Sequence, residues 1–390
     1  MDRSGRSLRH AVVVHLQDLA TPAAVIDHDV LARNCWVMAD RMTALGVRLR
    51  PHVKTHKCVE IARLQVAGHD AGVTVSTLAE ARAMAAGGIR DVTWAVPVPH
   101  PRIGEAVALH RALAATGGRL QLLVDHRATV EAIDAEAVRQ DTVVPVFIKV
   151  DCGYARAGVD PNGAALTSLA IRIEASAGLA LRGVLTHGGH SYDVAGRDAL
   201  LRVAGEERDA VVHAANRLRI ASVACAEVSL GSTPTMAVAE DLRECTEARP
   251  GNYALFDVFQ ARIGSCALSD VALSVLVSVM GVYPERGQLL VDGGALAFSK
   301  DPGATHVLDG GFGVVRDLEG RDLPLKLVGL SQEHGKMKAV GDSGWLQGVE
   351  LGTKLRVLPN HACLVTALHP ELVVVRGQEV IDRWVPVRGW

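Results

Sequence analysis

The stretch Arg48-Leu49-Arg50-Pro51-His52-Val53-Lys54-Thr55-His56-Lys57 sets two amines and two imidazoles behind a short apolar strand. A lysine at the C-terminal lip of such a strand can be desolvated, lose its proton and attack a carbonyl. A lone lysine is ordinarily a solvated loop residue, because charged side chains are seldom buried. Lys54 has company that changes the weighting. Pro51 fixes the turn, and His52, His56 and Lys57 add positive potential that favours a neutral amine. Lys54 is therefore the expected nucleophile towards an aldehyde cofactor, with Lys57 as the competing amine.

Four further clusters follow strand-like runs. Asp151-Cys152-Gly153-Tyr154-Ala155-Arg156-Ala157-Gly158-Val159 is a glycine-bearing loop that aims Arg156 at whatever the strand end faces. Thr186-His187-Gly188-Gly189-His190-Ser191-Tyr192 puts two histidines and a tyrosine among glycines, a composition that suits ligand contact better than packing. Ser229-Leu230-Gly231-Ser232-Thr233-Pro234-Thr235 offers free N–H and O–H donors, as a phosphate cradle does, and Arg249-Pro250-Gly251-Asn252-Tyr253 would complete it. The last cluster is Pro359-Asn360-His361-Ala362-Cys363. On a strand, residues two apart share a face, so His361 and Cys363 would meet one cation. An imidazole and a thiolate select zinc, with manganese or magnesium as alternatives. Two protein donors leave positions that substrate oxygens and water must fill.

The elements that must position these residues alternate between strand and helix. Apolar, β-branched runs lie near 47–53, 72–76, 92–96, 120–124, 144–150, 182–186, 225–230 and 252–256, with helical periodicity between most of them. Such runs mark strands covered on both faces. Eight of them predict an α/β fold, a (β/α)8 TIM barrel over residues 29–262; a doubly wound open sheet is the alternative. The seventh helix, near 235–243, is weak. Asp29 is the expected cap of the first helix. From 263 to 390 the pattern becomes strands at 271–283, 287–292, 324–330, 355–358, 367–375 and 380–386, separated by Gly, Pro and Asp turns. This predicts a second, mainly β C-terminal domain carrying the metal site, joined by about 1–28, including a strand at 22–27.

Composition narrows the function. With 390 residues, 49% hydrophobic and 22% charged, the chain can bury two cores. A net charge of −2 without a basic block argues against nucleic acid or an anionic membrane as partner. Seven scattered cysteines without a Cys-x-x-Cys fit a reducing compartment, so a cytoplasmic protein is expected. The apolar run at 11–14 is too short for a secretion signal, and 271–283 is well short of a membrane span.

Pro51-His52-Val53-Lys54-Thr55-His56-Lys57 resembles the cofactor-lysine signature of the D-threonine aldolase and D-serine dehydratase family, pyridoxal-phosphate enzymes built like alanine racemase. The resemblance runs over about residues 21–390. It implies that Lys54 carries pyridoxal 5'-phosphate as an imine. The 153–159 stretch is similar to the Gly-x-x-Arg-x-Gly-Val segment of that fold type, which implies that Arg156 faces the phenolic oxygen of the cofactor. Tyr192 would meet the ring nitrogen, and His187 or His190 would shuttle a proton. Gly231, Ser232, Thr233, Gly251, Asn252 and Tyr253 would bind the phosphate. The dehydratase branch carries His-x-Cys where the aldolases carry His-x-Asp, so His361 and Cys363 tilt the expectation towards dehydration. Ser331-Gln332-Glu333-His334-Gly335 also resembles a family stretch, with Glu333 or His334 facing substrate or supporting the metal. Residues 300–325 match no motif. The implied activity is a lyase acting on D-β-hydroxy amino acids: D-serine, D-threonine or 3-hydroxy-D-aspartate dehydration, with retro-aldol cleavage to glycine and an aldehyde as the alternative. Racemisation and a non-catalytic cofactor carrier are weaker readings. The family forms homodimers, so a homodimer acting on a small D-amino acid is expected.

Overall fold

Apolar runs too short for helices and too uniformly buried for a solvated sheet find their partners in one another. In the computed structural model, which describes residues 13–69, 72–303, 305–307 and 309–390, eight of them form an all-parallel sheet. Its strands are Arg48–Leu49, Val73–Val75, Asp91–Pro97, Arg119–Val124, Val144–Lys149, Leu179–Leu185, Glu227–Leu230 and Glu247–Ala248. From the second onward each pairs with the next in chain order, and the last pairs with the first. A single bridge between His52 and Thr74, with Thr74 N–H donating to Pro51 O at 2.8 Å, joins the remaining two ends. The sheet curls into the expected (β/α)8 barrel and not into a doubly wound sheet.

Two local expectations are corrected. The eighth strand is Glu247–Ala248, and the run expected to form it, 252–256, opens with a 3-10 turn at Asn252–Ala254. All five residues of that run are buried. A short apolar run packs equally well as turn or strand, and periodicity alone does not separate them. The first helix, His28–Ala44, is capped by Asp27 and not by Asp29: the Asp27 carboxylate accepts from the N–H groups of Asp29 and Val30. The weak seventh helix is six residues long, Thr233–Val238.

The second sheet has nine strands in the order Gln288–Val291, Gly335–Ala339, Asp322–Leu330, Gly313–Arg316, Lys354–Pro359, Leu273–Tyr283, Ala23–Asp27, Leu372–Arg376 and Glu379–Trp384. The first of these also pairs with Leu273–Tyr283, which closes six strands into a small, mainly antiparallel barrel. Ala23–Asp27 belongs to this sheet, as the sequence suggests, between Leu273–Tyr283 and Leu372–Arg376. Residues 1–12 of the lead-in lie outside the described residues. The strands at Gly313–Arg316 and Gly335–Ala339 were not expected. The strand expected at 367–375 is split: Ala362–Leu368 is a helix, and only Leu372–Arg376 is a strand. Among the described residues no helix is long and apolar enough to cross a membrane.

At the N-terminal ends of the parallel strands, Arg50 is 3% exposed. Its Nε donates to Glu247 Oε2 and its Nη1 to Asp91 Oδ1, both at 2.8 Å. One guanidinium therefore ties the first strand to the last and to the third. Removing one member of a buried charge network leaves the other charges uncompensated. Arg50→Met is expected to lower stability by about 3 kcal/mol or more, read by urea unfolding of the ligand-free protein; an unchanged midpoint would show that the other partners of Asp91 and Glu247, Arg119 at 3.0 Å and Arg48 at 3.9 Å, suffice.

Candidate active site

The strand carrying Lys54 ends at Leu49, and Pro51 leads into a 3-10 turn, Val53–Thr55, capped by His52. This turn delivers Lys54 to a cavity of about 700 Å3 at the C-terminal ends of the parallel strands, a size suited to a cofactor with a small substrate. Among the described residues the Lys54 side-chain amine forms no hydrogen bond or ion pair, while its backbone N–H donates to His52. Burial, with the Arg156 charge adding to it and the Cys363 and Glu80 charges opposing, holds its amine below the ordinary lysine value.

The sequence argument for that shift had the wrong neighbours. His52 accepts from Lys54 N–H through Nδ1 at 3.4 Å, and burial keeps the ring neutral. His56 is fully buried, bonded through Nε2 to Gln65 Oε1 at 2.9 Å, and burial pushes it down to about 4. Lys57 is paired with buried Glu80 at 2.5 Å and does not line the cavity, which removes it as a rival nucleophile. None of the three supplies the free positive charge expected of it, and desolvation does most of the work instead.

The loop after Val144–Lys149 is shaped by Asp151, whose Oδ1 accepts from Gly153 and Ala155 N–H at 3.1 and 3.0 Å. Arg156 then lines the cavity over the Tyr154 ring, 5.0 Å from its centroid. Tyr154 packs against Gly189, where an added Cβ would come within 2.2 Å of the ring. His187 lines the cavity, and its Nδ1 donates to Gly231 O at 3.2 Å. A carbonyl only accepts, so Nδ1 carries the proton; burial keeps the ring neutral and leaves the Nε2 lone pair available. Tyr192 also lines the cavity, packed on Phe259, with its phenol pushed up by burial.

Gly231, Ser232, Thr233, Gly251 and Asn252 share the same cavity wall. Thr233 Oγ1 accepts from Gly251 and Tyr253 N–H at 3.1 and 3.2 Å, knitting the two loops together. Gly251 admits no side chain, since a Cβ there would sit 2.6 Å from His52 O. Behind the wall, fully buried Glu207 accepts from Gly188 N, Gly231 N and Thr235 Oγ1 at 2.6, 2.9 and 2.7 Å, so one carboxylate sets both loops.

His361 and Cys363 line the opposite side of this cavity. The strand geometry used to pair them does not occur: His361 caps the helix Ala362–Leu368 and Cys363 lies in its first turn. Each favours the charged form of the other, imidazolium beside thiolate. His361 Nδ1 contacts Asp301 Oδ2 at 2.6 Å, which leaves Nε2 for a ligand. Burial opposes protonation of His361, but Asp301 and Cys363 outweigh it and raise the ring to about 11. Burial likewise raises the Cys363 thiol, but His361 and Lys54 outweigh it and hold it below its ordinary range. Cys363 Sγ is 3.3 Å from Thr55 Oγ1, so the helix meets the residue next to Lys54. Buried Asp257 accepts from Gln260 N, Asn252 Nδ2 and Ala362 N at 2.9, 2.9 and 3.0 Å. Among the described residues no group of three or more His, Cys, Asp or Glu is arranged to hold a metal, so the pair stands as an N,S donor set with open positions.

Two expected site residues lie elsewhere. His190 does not line the cavity: its Nε2 is 3.4 Å from Glu206, and its ring tilts against Tyr154. The Tyr253 side chain is fully buried in the barrel core, and only its backbone reaches the loops. Glu333 and His334 are exposed at the turn between Asp322–Leu330 and Gly335–Ala339, away from the cavity. Sequence reasoning missed Lys149, Asp257 and Asp301. Lys149 is 6% exposed, lines the cavity, and burial lowers it to about 8. A charged residue closing the apolar run 144–149 was the available signal.

Residues 26–257 match the family model described as the alanine racemase N-terminal domain, and 272–375 match a putative serine dehydratase domain. The chain is 41% identical to D-threo-3-hydroxyaspartate dehydratase of Delftia sp. (strain HT23), over 96% of this chain and 99% of that one. It is 32% identical to D-serine dehydratase of Dictyostelium discoideum, over 96% and 98%. The solved Delftia structure superposes with a TM-score of 0.91, covering 96% of this chain and all of that one. D-threonine aldolase from Filomicrobium marinum, 25% identical, superposes at 0.81 over 97% and 98%.

An aldehyde trapped with borohydride should label Lys54 and spare Lys57, as peptide mapping would read. The labelling rate should rise with pH through a midpoint below the ordinary lysine value of 10.5, because the neutral amine is the reactive form and burial stabilises it. A midpoint at or above that value would contradict the geometry.

Proposed function

The chain belongs to the alanine racemase-like, pyridoxal-phosphate-dependent family of D-serine dehydratases and D-threonine aldolases, and on that premise we propose that it dehydrates a D-β-hydroxy amino acid to a 2-oxo acid and ammonia. The observation that carries the reading is that an unpaired lysine and an N,S donor pair line one cavity. The cavity also fits an anionic cofactor and substrate. Lys54, Lys149, Arg156 and Arg249 line it, and its one lining carboxylate, Asp257, is occupied by three N–H donors.

Bound pyridoxal phosphate supplies an electron sink for the pair left at the substrate α-carbon. Lys54 is the residue to hold its aldehyde and, once free, to take the α-proton. Arg156 stays charged and suits the phenolic oxygen as an anion. Gly231, Ser232, Thr233, Gly251 and Asn252 offer the phosphate its donors, with Tyr253 contributing backbone only. Tyr192, a neutral phenol, suits the ring nitrogen. Of the two histidines, His187 takes the proton-shuttling role, because its free Nε2 lines the cavity while His190 turns to Glu206. His361 and Cys363 are the residues to hold a divalent cation, zinc by donor type, with manganese or magnesium as alternatives. There it would supply Lewis acidity to a β-hydroxyl. A solved D-threo-3-hydroxyaspartate dehydratase with one cysteine replaced by alanine is a metal-free form, which supports a thiolate ligand.

We read residues 29–262 as the cofactor-binding unit and 263–390, with about 1–28, as the unit carrying the cation pair. A homodimer fits the family resemblance. The seven described cysteines are all free, which supports a reducing, cytoplasmic setting. Aldol cleavage is the second reading, favoured by the aldolase structure that superposes on the whole chain.

Incubation of the holoenzyme with D-threo-3-hydroxyaspartate, D-serine and D-threonine separates the two. A 2-oxo acid and ammonia in equal amounts are expected from at least one of them. Glycine with an aldehyde would establish the aldolase reading instead. Lys54→Ala should lose the cofactor's visible absorbance and reduce turnover by roughly 10^2- to 10^4-fold; a coloured, active Lys54→Ala protein would sink both readings.

A further inference from the structure

We propose that Asp257 is a positioning residue that couples the cofactor cradle to the cation pair, through one carboxylate shared by the two sides of the site. The inference rests on the reading that the cradle takes the phosphate and that His361 and Cys363 take the cation.

Asp257 is 1% exposed and caps the helix Val258–Ile263, its Oδ1 accepting from Gln260 N–H at 2.9 Å. That bond is ordinary for a cap. The other oxygen does something a cap does not require. Oδ2 accepts from Asn252 Nδ2 at 2.9 Å, on the cradle, and from Ala362 N–H at 3.0 Å, between His361 and Cys363. A backbone bond from Phe259 N to Asn360 O at 3.3 Å runs alongside. The turn bearing the cation donors is thus registered against the loop bearing the phosphate donors by one rigid, fully accepting group. Only an ionised carboxylate accepts on both oxygens without presenting a donor of its own. With three N–H donors occupying it, Asp257 does not serve as the general base. Displacement of the Asn252 loop changes the geometry offered to the cation, and reciprocally, so the two binding events are linked.

Helix cap and strut can be separated by substitution. Asp257→Ser keeps a cap acceptor for Gln260 N–H but is too short to reach Asn252 and Ala362. Asp257→Asn, with its amide oxygen turned to the Oδ2 position, keeps the strut.

The test measures zinc affinity by chelator competition in wild type and both variants, each with and without pyridoxal phosphate, alongside thermal melting. In wild type the cofactor should change zinc affinity by roughly fivefold or more. Asp257→Ser should weaken zinc binding roughly 10- to 100-fold and abolish the cofactor dependence, while Asp257→Asn stays within a few-fold of wild type in both. Zinc binding by Asp257→Ser that matches wild type in affinity and cofactor dependence overturns the proposal. So does a wild-type zinc affinity indifferent to the cofactor, a result that stands even if Asp257→Ser fails to fold. Failure of the wild type to bind zinc at all would defeat the cation reading itself, and this inference with it.

Discussion

A lysine amine held out of water without a counter-ion is the costly feature around which this structure is arranged. Charged groups in low dielectric are destabilised unless paired, so a buried lysine either finds an acid or gives up its proton. Here the nearby acids are occupied. Glu80 is taken by Lys57, Asp257 by three N–H donors, and Glu207 by two backbone N–H groups and a threonine. Glu80, though paired with Lys57, still favours the ammonium form of Lys54, as does Cys363, but burial with the Arg156 charge outweighs them. Even Lys57, in the strained left-handed region at φ 53°, is turned towards Glu80 and away from the cavity role that its spacing allowed.

The second requirement is that two sheets built on different principles meet at one point. The parallel barrel offers its strand ends, and the antiparallel barrel offers the turn before Ala362–Leu368. Their junction is held by short polar contacts: Thr55 with Cys363 and Thr366, Asp257 with Ala362, and Phe259 with Asn360. The C-terminal tail adds Val387 N to Lys57 O at 2.7 Å and Arg388 to Thr366 O at 3.0 Å. These contacts cluster on the lysine turn and the cation turn. The amine and the N,S pair therefore line the same volume without any single element carrying both.

The parts of this arrangement legible in the sequence are those whose signal is local. Strand runs ending in glycine and hydroxyl residues identify the barrel and its ligand-facing loops, because alternation of apolar strand and amphipathic helix is written in consecutive residues. The illegible parts depend on partners far along the chain. Nothing near His52 or His56 reveals that burial will keep them neutral. Nothing near Asp301 reveals that it will orient a histidine sixty positions later; it lies in a stretch, 300–325, with no pattern to read. The strand argument for His361 and Cys363 rested on a geometry that does not occur, although both residues line one cavity. His361 is the extended cap, at φ −137°, ψ 100°, and Cys363 lies in the first turn, so a helix start and not a strand brings both to the cavity.

That last case bears on how donor type and metal choice are connected. At the helix start, the imidazole and the thiol line one cavity, and each favours the charged form of the other. Asp301 fixes the far nitrogen of the ring, and the positive side of the cavity favours the thiolate. A compact N,S pair with a carboxylate behind the imidazole matches the preference of zinc for tetrahedral sites with soft donors. Lys54 lines the same cavity, so the N,S donor pair and the buried amine border one volume.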